Sequence, residues 1–219
     1  LSSMVCNWIL AQNIRWKEQK DNNDFFSVAL SGGDIPIQIY KKLCDYSDNE
    51  DMQWSKWNIW WSCERFVSHE DDKSNYKMTF DSFLRYVPIQ SFQIHPVPIE
   101  IDPVQSAHLY QKNIVDMFST FFPSFDIILL AMGNDGHIAS LFPGSEGVQD
   151  HESLIIANWI SRLKEYRITF SFQLIRAAKE VAILVTDPNK ARLIEQIVTG
   201  GFKGERVPAS LVHARDFSV

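Results

Sequence analysis

Four consecutive turn-forming residues, Gly133, Asn134, Asp135 and Gly136, lead directly into His137, and this run is the first place to look for chemistry. An imidazole titrates near neutral pH and can take or give a proton in a reaction. A histidine in a turn is also a common structural residue, so the residue type alone does not decide. Two other stretches bear on it. Ser31-Gly32-Gly33-Asp34-Ile35-Pro36 places adjacent glycines before a helical run, where bare backbone can approach a ligand and helix-start amides favour an anion. As a lone signal this equally describes a tight turn. Lys190 opens another helical run, against the positive end of the macrodipole, and so reads either as a solvated lysine or as a cation aimed at the same anion.

The elements around these residues are those of an α/β fold. Apolar runs at Phe25 to Leu30, Trp57 to Ser62 and Ile127 to Met132 are too short for helices and read as buried strands. Arg167 to Phe170 and Val181 to Thr186 predict further strands, the latter strongly buried, with shorter ones at Phe92 to Pro96, Leu154 to Ala157 and the end of Val207 to Val212. Helices are predicted from Ser2 to about Lys20, after Pro36 through Cys44, from Ser74 to Leu84, Val104 to Phe118, Ile138 to Phe142, Phe172 to Ala178 and Lys190 to Val198. The polar run Glu18 to Asp24 reads as a connection. A strand, a glycine turn and a helix is how open α/β sheets build sites at the carboxyl ends of their strands.

At 219 residues and a net charge of −6, the chain is expected to form one domain over 1–219, with no overall field for nucleic acid. Cys6, Cys44 and Cys63 make no CxxC, which suits a reducing compartment, the cytosol by default. No apolar run is long enough to span a membrane. The chain opens at Leu1 rather than Met, and is expected to be a domain excised from something longer.

Taken together, Ser31-Gly32-Gly33-x-x-Pro36, Glu64-Arg65-x-Val67 with Ser74-Asn75, and Gly133-x-Asp135-Gly136-His137-x-Ala139-Ser140-Leu141-Phe142-Pro143-Gly144 resemble the motifs of the 6-phosphogluconolactonase family, within the group that includes glucosamine-6-phosphate deaminases. Arg167-Ile168-Thr169, Lys190-Ala191 and Pro208-Ala209-Ser210 follow in the family's order. The Ala-Ser-Leu-Phe-Pro-Gly run after the histidine is lactonase-like. Cys63 stands where the family usually has Asp, Asp34-Ile35 replaces a small pair, and Asn134 replaces a frequent Pro.

The resemblance implies an open, mostly parallel sheet flanked by helices on both faces. It also implies hydrolysis of 6-phosphoglucono-1,5-lactone, a step of the oxidative pentose phosphate pathway. His137 would be the general base, with Asp135 orienting its ring. The phosphate would be held by the Ser31, Gly32 and Gly33 loop with Arg65, Lys190 and Arg167. No metal or cofactor is expected. Two alternatives stay open: a phosphosugar-binding domain with reduced catalysis, and an amino sugar phosphate deaminase. The implied partner is a small phosphosugar lactone, and a fused or associated glucose-6-phosphate dehydrogenase would fit the missing start.

Overall fold

The computed structural model describes residues 1–19, 25–99, 102–201 and 207–212; most of the connection read at Glu18 to Asp24 lies outside them. Helix α1 (Ser2–Gln19) buries Val5, Cys6, Ile9, Asn13 and Trp16, a three- and four-residue spacing that lines one face. Strand β1 (Phe26–Leu30) is buried throughout. Helix α2 (Asp34–Leu43) starts behind Gly33, whose φ of 112° is a conformation that suits glycine. Strand β2 (Trp57–Trp61) is also buried along its length. Each of its three indoles contributes about 4–6 kcal/mol of gross transfer free energy, at roughly 25 cal/mol per Å².

A short strand β3 (Cys63–Arg65) precedes α3 (Asn75–Ser82), which Ser74 caps by accepting from the Lys77 amide. Helix α4 (Pro103–Phe118) begins at Asp102, whose carboxylate accepts from Val104 and Gln105, with Pro103 in the first turn. Strand β4 (Ile127–Ala131), the hairpin β5 (Ile155–Ile160) and β6 (Glu165–Phe170), α5 (Phe172–Ala177), β7 (Glu180–Leu184) and α6 (Ala191–Thr199) complete the chain.

Strands β2, β1, β4 and β7 form a parallel sheet in that order. From β1 the chain crosses to β2 on one side, and from β4 to β7 on the other. Right-handed crossovers in opposite directions place the connecting helices on opposite faces. The order reverses between β1 and β4, the position where open α/β sheets leave a crevice for ligands. A second sheet, β3-β6-β5, is antiparallel and was not foreseen. It joins the first through Ser62, whose amide donates to Leu30 O and whose carbonyl accepts from Phe170, both at 2.8 Å.

Several expectations are corrected. Residues 138–142 are not helical. Ala139 takes φ 48°, and Ile138 bridges back to Met132 and on to Leu141, so the chain folds on itself after His137. Phe92 to Pro96 is not a strand but a 3-10 turn at Ser91–Gln93 followed by one bridge from Ile94 to Ile59. The final strand is replaced by a 3-10 helix, Pro208–Leu211. Strand β7 lies at a sheet edge, and only Leu184 in it is fully buried. Strand β5 extends beyond the expected Ala157 to Ile160, because Asn158 and Trp159 pair in register with Arg167 and Tyr166 of β6.

Candidate active site

At the carboxyl ends of β1 and β4 lies a cleft of about 270 Å³. Ser31, Gly32, Gly33, Arg65, His137, Arg167 and Lys190 all line it, together with Asp34, Cys63 and Asn75. A larger hollow of about 530 Å³ sits at the opposite ends of these strands. Its buried Asp126 is taken up by Ser27 and Lys179, and it contains neither the glycine turns nor the histidine.

The histidine is held by its own turn. Its Nδ1 lies 2.6 Å from Asp135 Oδ1, and its amide donates to the same oxygen at 3.2 Å. Gly133 donates to the His137 carbonyl at 2.9 Å, closing the loop. An added Cβ at Gly133 would lie 2.1 Å from the imidazole, so only glycine lets the ring lie this close to the backbone. The ring also stacks on Phe142, with centroids 4.0 Å apart. With Nδ1 on the carboxylate, Nε2 is the nitrogen left for the cleft. Burial pushes the imidazole below its ordinary pKa; Asp135 opposes this, while Arg162 and Arg167 add to it. The neutral form of the imidazole is thereby favoured. Burial alone would raise the Asp135 carboxyl, but its bonds to His137 and Arg162 outweigh this and hold it below the usual range.

The antiparallel sheet grips the loop that follows. The Ser140 amide donates to Thr169 Oγ1 at 3.0 Å, and Asn158 Nδ2 donates to the Ser140 carbonyl at 2.8 Å. The same sheet carries the two arginines. Arg65 and Arg167 are register partners across β3 and β6. Arg65 donates to Asn75 Oδ1 at 2.6 Å and to the Lys73 carbonyl at 2.8 Å, both neutral acceptors. Arg167 is paired with Glu165. Of the adjacent pair Glu64 and Arg65, whose side chains point opposite ways along the strand, Glu64 faces inward. Its carboxylate accepts from the amides of Arg65, Asn75 and Tyr76 and from Ser74 Oγ, which fastens α3 to β3. Burial raises its pKa, and these four donors oppose the rise.

Across the cleft, the Ser31 amide and carbonyl are both occupied by the Tyr40 hydroxyl, at 2.9 and 2.7 Å. Gly32 and Gly33 line the cleft, and the Tyr40 hydroxyl does not engage their amides. A Cβ on Gly32 would fall 2.0 Å from Asn75 Oδ1, so the first glycine makes room for the group that steadies Arg65. Lys190 directs Nζ to the Met132 carbonyl at 2.6 Å, which ties the start of α6 to the end of β4. Cys63 is buried, and burial raises its thiol pKa. Among the described residues, no three His, Cys, Asp or Glu side chains gather as a metal site. Neither Arg162, which bonds Asp135, nor Phe142, which stacks on the ring, stood out in the sequence as a neighbour of His137. Arg162 carries no local signal, because only the pairing of β5 with β6 brings its turn to Asp135.

A carboxylate-paired histidine at the end of β4 and a glycine loop at the end of β1, facing two arginines, make this an α/β protein with a cleft suited to a small anionic ligand. The chain belongs to the family described as glucosamine-6-phosphate isomerases/6-phosphogluconolactonase, which it matches over residues 3–219. It is 34% identical over 203 residues to probable 6-phosphogluconolactonase 2 of Oryza sativa subsp. indica, covering 85% of this chain and 70% of that protein. It is 34% identical over 201 residues to 6-phosphogluconolactonase 3, chloroplastic, of Arabidopsis thaliana, covering 87% of this chain and 61% of that one. The chain thus spans less than two thirds of the length of this second relative. The solved 6-phosphogluconolactonase from Trypanosoma cruzi superposes with a TM-score of 0.81 at 27% identity, covering 95% of this chain and 84% of that one. No helix among the described residues is long and apolar enough to cross a membrane.

Proposed function

We propose that the chain hydrolyses 6-phosphoglucono-1,5-lactone to 6-phosphogluconate. The observation that carries this reading is the meeting, in one cleft at the sheet's switch point, of the Asp135–His137 pair with the Gly32–Gly33 loop, Arg65, Arg167 and Lys190. The substrate's phosphate lies against the glycine amides and Arg65, with Arg167 and Lys190 adding positive charge. Ser31 holds that loop in place through Tyr40. The neutral His137 takes a proton from water as the oxygen attacks the lactone carbonyl. Collapse of the tetrahedral intermediate breaks the bond between the carbonyl carbon and the ring oxygen, and the imidazolium returns the proton to that oxygen. Asp135 keeps Nδ1 protonated and steadies the transient cation. The names of the rice, Arabidopsis and trypanosome relatives support lactone hydrolysis over amino sugar deamination. Three free thiols support a reducing compartment such as the cytosol.

The deciding experiment couples product formation to 6-phosphogluconate dehydrogenase and subtracts spontaneous lactone opening. Turnover by the protein, reduced about 10²-fold or more in His137→Ala with substrate binding retained, is the expected result. A rate no higher than the spontaneous one in the unaltered protein overturns the reading.

A further inference from the structure

Asp135 has a second partner. Arg162, on the turn between β5 and β6, donates from Nη2 to Asp135 Oδ2 at 2.5 Å, while Oδ1 holds His137. The Arg162 Cζ also lies 4.7 Å from the centroid of Phe142, the ring on which the imidazole stacks. The two surfaces that fix the base, a carboxylate and an aromatic ring, therefore both touch Arg162. Its own root is fixed, because the Leu163 and Lys164 amides both donate to the Ile160 carbonyl, at 2.9 and 2.8 Å. We propose that Arg162 is a positioning residue for His137, locking the Asp135 carboxylate and the Phe142 ring so that the imidazole keeps one orientation toward the cleft. The proposal rests on the reading of His137 as the base of a lactone hydrolase.

A solvated ion pair would look superficially the same, since the Arg162 side chain is 56% exposed. Such a pair is screened by solvent and holds neither partner in one geometry. The surroundings of His137 separate the two cases. Asp135 faces it from its own turn, Arg162 from the β5–β6 turn and Arg167 from β6. Arg65 from β3, Lys190 from the start of α6, Asp34 from α2 and the Cys63 thiol from β3 line the same cleft. Removing Arg162 withdraws a positive charge and releases Asp135 to His137 alone. Both changes favour the imidazolium, so the base would be lost at a higher pH. An Arg162→Lys change keeps the charge but not the planar contact with Phe142 or the fixed fork of donors.

The test compares the unaltered protein with Arg162→Met and Arg162→Lys, after circular dichroism has shown that each is folded. The His137 ring proton is followed by NMR titration and assigned with His137→Gln. In Arg162→Met the His137 titration is expected to move to higher pH, kcat to fall about tenfold, and KM to stay within about twofold. Arg162→Lys should restore most of the titration midpoint and only part of kcat. A His137 titration unmoved in Arg162→Met overturns the proposal, whatever happens to the rate. Absence of hydrolysis in the unaltered protein would overturn the lactone reading instead, and the titration would still decide the role of Arg162.

Discussion

Arg65 and Arg167 stand opposite one another in the antiparallel pairing of β3 with β6. Like charges so placed weaken a strand pair. Glu165 offsets Arg167, but Arg65 rests on the neutral Asn75 amide and the Lys73 carbonyl. The cleft therefore retains uncompensated positive charge that a phosphate group would balance.

Arg65→Ala should raise KM about tenfold to a hundredfold, the worth of a charge-assisted contact of about 1.5–3 kcal/mol, with a smaller fall in kcat. Inorganic phosphate should raise the melting temperature of the unaltered protein and do so much less in the variant. An unaltered KM removes Arg65 from the site.

Gly133→Ala should disable the base without unfolding the protein. The new methyl group would sit 2.1 Å from the imidazole and push it off Asp135. A fall in kcat of about a hundredfold, with an unchanged urea midpoint, is expected from a displacement of this size. Full turnover would show that the ring need not lie against the turn.

The pH–rate profile should report the depressed His137. A base works when neutral, so kcat/KM should rise with pH and level off once the imidazole has lost its proton. Burial, aided by Arg162 and Arg167, places that midpoint below the ordinary 6.5. An acid limb centred above 6.5 would contradict the electrostatics described for the turn.

His95 makes a separate pH-dependent contribution, to stability. It stacks on Trp60 at 4.2 Å, its Nε2 lies 2.8 Å from Asn58 Oδ1, and burial lowers its pKa from 6.5 to about 4. The unfolded chain therefore binds the proton more readily. The stabilisation is complete above about pH 6.5 and is lost as pH falls from there toward 4. Urea midpoints measured across that window should decline less in His95→Gln, and parallel declines would assign the effect elsewhere.

Glu64→Gln should cost about 1–3 kcal/mol for each amide left without an acceptor, since the new NH₂ group would face donors. The loss should appear in chemical denaturation, accompanied by a higher KM as α3 and Asn75 loosen around Arg65. Unchanged stability would mean that the four contacts do not need a carboxylate.

Much of this site was legible where the signal is local. Strands β1 and β4 are buried along most or all of their length and stop two residues before a glycine, so both the runs and the turns after them stood out. The helix expected after His137 failed because an apolar run such as 138–142 has no fixed period, and Ala139 instead takes a left-handed conformation. Lys190 stood out at a helix start with two readings open, and its ammonium is engaged by the Met132 carbonyl, a partner 58 residues away. Arg162 was invisible for a related reason. Strand register, which no single stretch of sequence encodes, carries it to Asp135.

The junction at Ser62 has a further consequence. Residues 57–65 pass through both sheets with a bend at Ser62, which is pinned to β1 on one side and to β6 on the other. The guanidinium of Arg65 and the imidazole of His137 are thus tied together through paired backbone that cannot stretch. In the proposed reaction the spacing between phosphate anchor and histidine is then set by paired backbone rather than by side-chain reach alone.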